Sequence, residues 1–189
     1  EAVERMHAFG IARIPVTFDA EHVVGHFHKC EVYNAHVAAK AAAHAPFGAE
    51  VTKSWPMFCH SMWDAIAAPE LLEKALELYP LVKDYFQEAP VLYSMNCFWT
   101  QPVQAGIPQY VDTHWWHRDG DDRKQLVVFF MGLDIPTRED GAHLFQRGSH
   151  DKTDEQLGYD FQSPPEDVIE VVTGKAGSIF LSDPRGMHM

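Results

Sequence analysis

The order of apolar patterns predicts a mainly β protein with helices gathered at its N-terminus (α+β), a β-sandwich or jelly roll buttressed by those helices. Up to about residue 89 the apolar residues recur mainly at helical spacing, and from Pro90 onward they fall in short strand-like runs. Turn signals separate those runs: Glu139-Asp140-Gly141, Pro164-Pro165 and Gly174-Lys175-Ala176-Gly177. Helices first and many short strands afterwards point to packed antiparallel layers rather than to alternating βαβ units.

Taken in order, Gly10-Ile11-Ala12-Arg13-Ile14-Pro15 reads as a short strand with a proline stop. Asp19 is a good N-cap for a helix from about Ala20 to Ala43, because its carboxylate accepts from an otherwise unpaired first-turn N–H. A second helix starts with Pro69 in its first turn, where a missing N–H costs nothing. Its Leu71, Leu72, Ala75, Leu76 and Tyr79 share one apolar face, and Pro80 ends or kinks it. Val91–Trp99 is expected to be the first strand of the second half, stopped near Pro102. Leu126–Met131 is an apolar run of the kind buried on both faces, and further strands are expected at Ala142–Gln146, Val168–Val172 and Ser178–Ser182. No repeat or low-complexity linker divides the chain, so residues 1–189 read as one domain, with 1–89 a mostly helical support and 90–189 the sheet core.

With 46% of its 189 residues hydrophobic, the chain has enough apolar surface for a substantial core. No run of about 18 apolar residues offers a membrane span. The opening Glu1-Ala2-Val3-Glu4-Arg5 has neither the basic region nor the apolar core of a secretory signal, which favours the cytoplasm. Cys30, Cys59 and Cys97 are too few and too scattered for a disulfide framework, and read as small buried hydrophobes. A formal charge of −12 argues against a nucleic-acid partner, which needs clustered Lys and Arg. Twelve histidines are more than one metal site uses, so most are structural.

The chemistry concentrates at Trp115-Trp116-His117-Arg118-Asp119-Gly120 and at a distant His188. On an extended strand, residues i and i+2 point to one face, so His117 and Asp119 are placed to grip a single ion while Arg118 points away. With His188 they compose a 2-His-1-carboxylate set, which leaves coordination positions open and suits non-haem Fe(II) oxygenases.

In order and spacing these segments resemble the phytanoyl-CoA dioxygenase family. The matching pieces are Trp116-His117-Arg118-Asp119-Gly120, then the apolar strand, then Asp140-Gly141-Ala142-His143-Leu144-Phe145-Gln146-Arg147-Gly148-Ser149-His150. After them come Gly174–Asp183 and His188, and Phe9–Pro15 is similar to the family's usual opening. The resemblance implies a double-stranded β-helix, a cupin-like jelly-roll barrel with its metal near one mouth. It implies Fe(II) on His117, Asp119 and His188, 2-oxoglutarate as cosubstrate, and hydroxylation of a small-molecule substrate by O2 with release of succinate and CO2. Asp119 favours hydroxylation, since halogenating relatives replace the carboxylate. The family places an Arg for the far carboxylate of 2-oxoglutarate after the second His, on a last strand, and the sequence reaches only Met189. Phe130 aligns with an aromatic that packs on the cosubstrate. Asn96 reads either as a hydrogen-bond donor to the cosubstrate or as a core amide, and Phe130 equally as core.

Other residues have plainer readings. His114 faces away from His117 if the strand alternates, and His143 and His150 orient a turn near the site. His22 and His26 have the i, i+4 spacing of a zinc pair on the first helix with His28 nearby, but no acidic partner is evident beside them, so they read as a solvated face. Arg147 and Arg185 are either surface cations or substitute carboxylate anchors. Trp55, Trp63, Trp99, Trp115 and Trp116 line a pocket or fill the core. The competing function is a metal-binding jelly roll without oxygenase chemistry, a sensor, scaffold or cupin-type enzyme.

Overall fold

A computed structural model describes residues 1–29, 57–60, 69–95, 97–100, 116–119, 124–157 and 164–189. In chain order these form α1 (Ala2–Phe9), β1 (Ile11–Thr17), α2 (Ala20–Lys29), β2 (Met57–His60), α3 (Pro69–Glu77), α4 (Tyr79–Phe86), β3 (Cys97–Thr100), β4 (Val127–Phe130), β5 (His143–Gln146), α5 (Asp154–Leu157), β6 (Ile169–Val172) and β7 (Ser178–Ser182). The class is α+β, with helices and small antiparallel sheets.

α1 ends at Gly10, whose φ of 76° is the left-handed conformation that closes a helix; its N–H donates to the carbonyl of Met6 at 2.9 Å. β1 does not stop at Pro15 as its sequence suggests. It continues to Thr17 with an irregular register between Ile14 and Thr17, so the residue lacking an N–H sits where the ladder is interrupted. Asp19 caps α2 as expected, its Oδ1 accepting from the N–H of His22 at 2.9 Å. α2 is described only to Lys29, so the rest of the expected helix lies outside the described residues.

Pro69 opens α3, and Pro80 divides the helical stretch by falling in the first turn of α4. The apolar stripe of α3 is not core: none of its residues is buried, and Leu76 is 58% exposed. Leu78 and Tyr85 are buried instead. The expected strand at Val91–Trp99 forms only at its end, as β3. Val91, Leu92 and Tyr93 are exposed and outside any strand, because nothing among the described residues covers them. β3 pairs with β2, a strand within the half that reads as helical.

The sheet order β1-β7-β4 places Ser178–Ser182 in the middle, and it is this strand, rather than the edge strand β4, that is buried on both faces. Ile179 and Leu181 face α1 and α4, packing with Ala12, Ile14, Met6, Leu78 and Tyr85. Phe180 faces the other way and joins Ile11, Met131, Phe145 and Val172, so β5 and β6 cover the opposite face. Leu144 and Ile169 point outward from that second sheet to Trp116 and Met187. Residues 187–189 extend it beyond β5: Gln146 N donates to Met187 O at 2.8 Å, and Leu144 and Met189 exchange N–H···O bonds at 2.9 and 3.0 Å. Among the described residues, no helix is long and apolar enough to cross a membrane.

Candidate metal centre

The segment after β7 crosses from one sheet to the other and brings His188 beside His117. Asp183, fully buried, holds the crossing: its N–H donates to Gly10 O at 2.8 Å, and its carboxylate accepts from the Tyr85 hydroxyl at 2.7 Å. Arg185 closes on the same carboxylate, its Nε 2.9 Å from Oδ1 and its Nη2 2.5 Å from Oδ2. Charge-assisted bonds of this kind are stronger than neutral ones. They raise the Arg185 pKa above its ordinary value, while burial first and the Asp183 bond second raise that of Tyr85. Arg185 is therefore neither a surface cation nor a free carboxylate anchor. Arg147 does read as a surface cation, 3.6 Å from Glu170 Oε2.

Gly-Ser-His has a structural task at the same crossing. The Ser149 hydroxyl, fully buried, donates to Gln146 O at 2.6 Å and accepts from Met187 N at 2.7 Å, which fixes the residue before His188. His150 is buried against Gly10, where an added Cβ would lie 2.6 Å from its Nδ1. Burial holds its pKa below the ordinary value.

His188 and His117 then pair as antiparallel strand neighbours, with ring centroids 4.3 Å apart. Alternation about His117 matches the sequence reading: Trp116 points outward into the core, and Arg118 turns to Asp154, its Nη1 2.6 Å from Oδ1. Asp119 returns to the side of His117, its Oδ1 3.9 Å from His117 Nε2. One donor atom from each of His117, Asp119 and His188 lies within 4.8 Å of the others. His188 Nδ1 lies 2.9 Å from Gly186 O, so that nitrogen donates and Nε2 keeps its lone pair for a ligand bond. Burial lowers the His188 pKa, which keeps the ring neutral as a metal ligand must be. Cis ligands at about 2.1 Å from an ion stand roughly 3 Å apart.

The inner wall is lined by Phe129 and Phe180, to which sequence gives no role, and by His143, which sequence reads only as orienting a turn near the site. His143 lies 5.5 Å from His188 between ring centroids and packs on Phe129 at 4.9 Å. Its Nε2 is buried without a hydrogen-bond partner, and burial, then the neighbouring His188 and His117, lowers its pKa to about 3. Phe129 stacks on Phe180 with centroids 4.4 Å apart. Phe130 faces the helices instead and meets Phe18 edge-on at 5.5 Å, so the structure does not bring it to the cluster. Asn96, His114, Trp55, Trp63 and Trp115 lie outside the described residues.

No known family profile matches the chain, the phytanoyl-CoA dioxygenase family included, and no curated protein matches it. Solved structures do match. The chain shares the fold of AviO1 and HygX. AviO1 from Streptomyces viridochromogenes Tue57 is 16% identical, with a TM-score of 0.59 over 99% of this chain and 84% of its own. HygX from Streptomyces hygroscopicus, with nickel and 2-oxoglutarate bound, is 13% identical with a TM-score of 0.56, over 99% of this chain and 78% of its own. HygX with hygromycin B also bound gives 15% and 0.58 over the same shares.

Proposed function

We propose that the chain is a non-haem Fe(II)- and 2-oxoglutarate-dependent dioxygenase that hydroxylates a small organic molecule and releases succinate and CO2. In this reading residues 90–189 form a double-stranded β-helix of the phytanoyl-CoA dioxygenase type, and 1–89 support it within one domain. The main support is the backbone bridge that sets His188 beside His117-x-Asp119, in a fold shared with a protein that holds nickel and 2-oxoglutarate.

His117, Asp119 and His188 hold the ion, and Asp119 offsets part of its charge. Three protein ligands leave positions for the cosubstrate and O2, whose activation is the chemistry iron supplies when bound. The Gly186 carbonyl keeps His188 in the tautomer that presents Nε2. Phe129, Phe180 and the neutral His143 pack together on the inner side and help to keep water from it. Asp119, with 54% of its side chain exposed, marks the side from which a substrate enters.

The test is anaerobic addition of 2-oxoglutarate to the Fe(II)-loaded chain, followed by the weak visible metal-to-ligand band. The expected result is a band in the wild type and none in Asp119→Ala, with succinate formation lost in the same variant. Iron bound without a band, or succinate still formed by Asp119→Ala, overturns the reading.

A further inference from the structure

His22 and His26 stand one turn apart on α2, and the fold brings them the acidic partner that their sequence neighbourhood lacks. Glu70, in the first turn of α3, sets Oε1 3.0 Å from His22 Nε2 and 3.5 Å from His26 Nδ1. The two rings meet edge to face, 5.0 Å apart at 85°. All three donor atoms lie within 4.8 Å of one another. Two imidazole nitrogens and a carboxylate oxygen at about 2.0–2.2 Å from a tetrahedral ion lie roughly 3.3 Å apart, and the two Glu70 distances straddle that value.

A carboxylate oxygen can accept from both rings at once, so the His–Glu contacts alone do not demand a cation; the convergence of three donor atoms is what admits one. Both rings aim a nitrogen at the same oxygen, while Glu70 Oε2 is buried with no hydrogen-bond partner. A carboxylate oxygen left without a donor is costly, and a cation beside both rings offsets that cost where the carboxylate takes it through both oxygens. The cluster also borders a cavity of about 400 Å³ that Thr17, Phe18, Asp19 and Lys74 help to line. A fourth ligand, water or a small anion, has room there.

We propose that His22, His26 and Glu70 form a second divalent-cation site, of the zinc class, that clips α3 to α2. Two imidazoles and one carboxylate are a zinc donor set, and three protein ligands with an open fourth position make its outer ligand exchangeable. The clip has a physical purpose, since no residue of α3 is fully buried. The site is independent of the His117 cluster and of the dioxygenase reading.

Zinc titration of the chelator-stripped full chain, in competition with a chromophoric chelator, tests the proposal. The wild type is expected to bind one zinc ion more per chain than His26→Asn. Glu70→Gln, which keeps the shape and removes the charge, is expected to weaken the same ion by more than about 100-fold, beyond the 10–100-fold typical of outer partners. His117→Ala must leave this ion in place, and cobalt substituted into that variant should show the intense visible bands of a tetrahedral centre. Those bands must vanish in the His26→Asn, His117→Ala double variant. Circular dichroism of His26→Asn and Glu70→Gln should match the wild type, because all three side chains are partly exposed. A wild type that binds one ion, lost with His117→Ala, overturns the proposal, as do cobalt bands indifferent to His26→Asn.

Discussion

His117 and His188 exchange both backbone hydrogen bonds, His117 N to His188 O at 3.0 Å and His188 N to His117 O at 2.9 Å. Residues paired in this way in an antiparallel ladder stand directly opposite and project their side chains to one face. The closeness of the two imidazoles is therefore a property of the main chain, not of a favourable pair of rotamers. Whatever fixes the crossing from β7 to Met189 also fixes the approach of these two candidate ligands.

Gly186 is the tightest point of that crossing. A Cβ there would lie 2.2 Å from Phe145 Cζ and 3.0 Å from Ser149 Oγ, and Phe145 is fully buried. Gly186→Ala is expected to cost about 1–3 kcal/mol of stability through overpacking. Because the Gly186 carbonyl also accepts from His188 Nδ1, metal affinity should fall with it. Urea unfolding and a metal titration on the same preparation check both. Full stability with unchanged affinity would show that Phe145 has room to move.

Asp183→Asn keeps the shape of the buried carboxylate and removes its charge. Arg185 is then left without its counter-ion, and breaking a buried pair from one side costs about 3–5 kcal/mol. The lower end is expected, since the Arg185 side chain retains 27% exposure and Tyr85 still finds an acceptor in the new amide. The denaturation midpoint should drop with an unchanged slope, and His188 should bind metal less tightly. A loss under about 1 kcal/mol would place the pair among weak surface bridges.

The parts of the fold legible in sequence are those whose pattern is local. Ser178–Ser182 has the predicted boundaries because a glycine turn precedes an apolar run that one strand can bury whole. The His117-x-Asp119 pairing is legible because strand alternation is local too. Glu70 was invisible beside His22 and His26 because only the packing of α2 near α3 brings it there. Phe129 rather than Phe130 meets His143 because the pairing of Phe129 with Phe180 sets the register, which distance to Gly141 along the chain does not reveal. Val91–Tyr93 has strand-forming residues without a covering partner among the described residues, and propensity without burial does not make a strand.

The inner histidines make the metal-free protein acid-sensitive in a defined direction. Burial takes the His143 pKa down from 6.5 to about 3 and lowers those of His150 and His188 as well. Below pH 6.5 the unfolded chain therefore binds protons that the folded one refuses. The stability these neutral rings permit is complete above 6.5 and is lost as pH falls, for His143 over the window from 6.5 to about 3. Within that window His143 contributes a slope of up to about 1.4 kcal/mol per pH unit. His143→Leu removes one of these protons together with the unpartnered Nε2, so its stability should equal or exceed the wild type near neutrality and fall less steeply in acid. Urea midpoints of the chelator-treated wild type and His143→Leu, followed from about pH 7.5 to about 4.5, separate the slopes. Parallel curves would mean that His143 takes up its proton in the folded state, which requires an acidic or hydrated partner at Nε2.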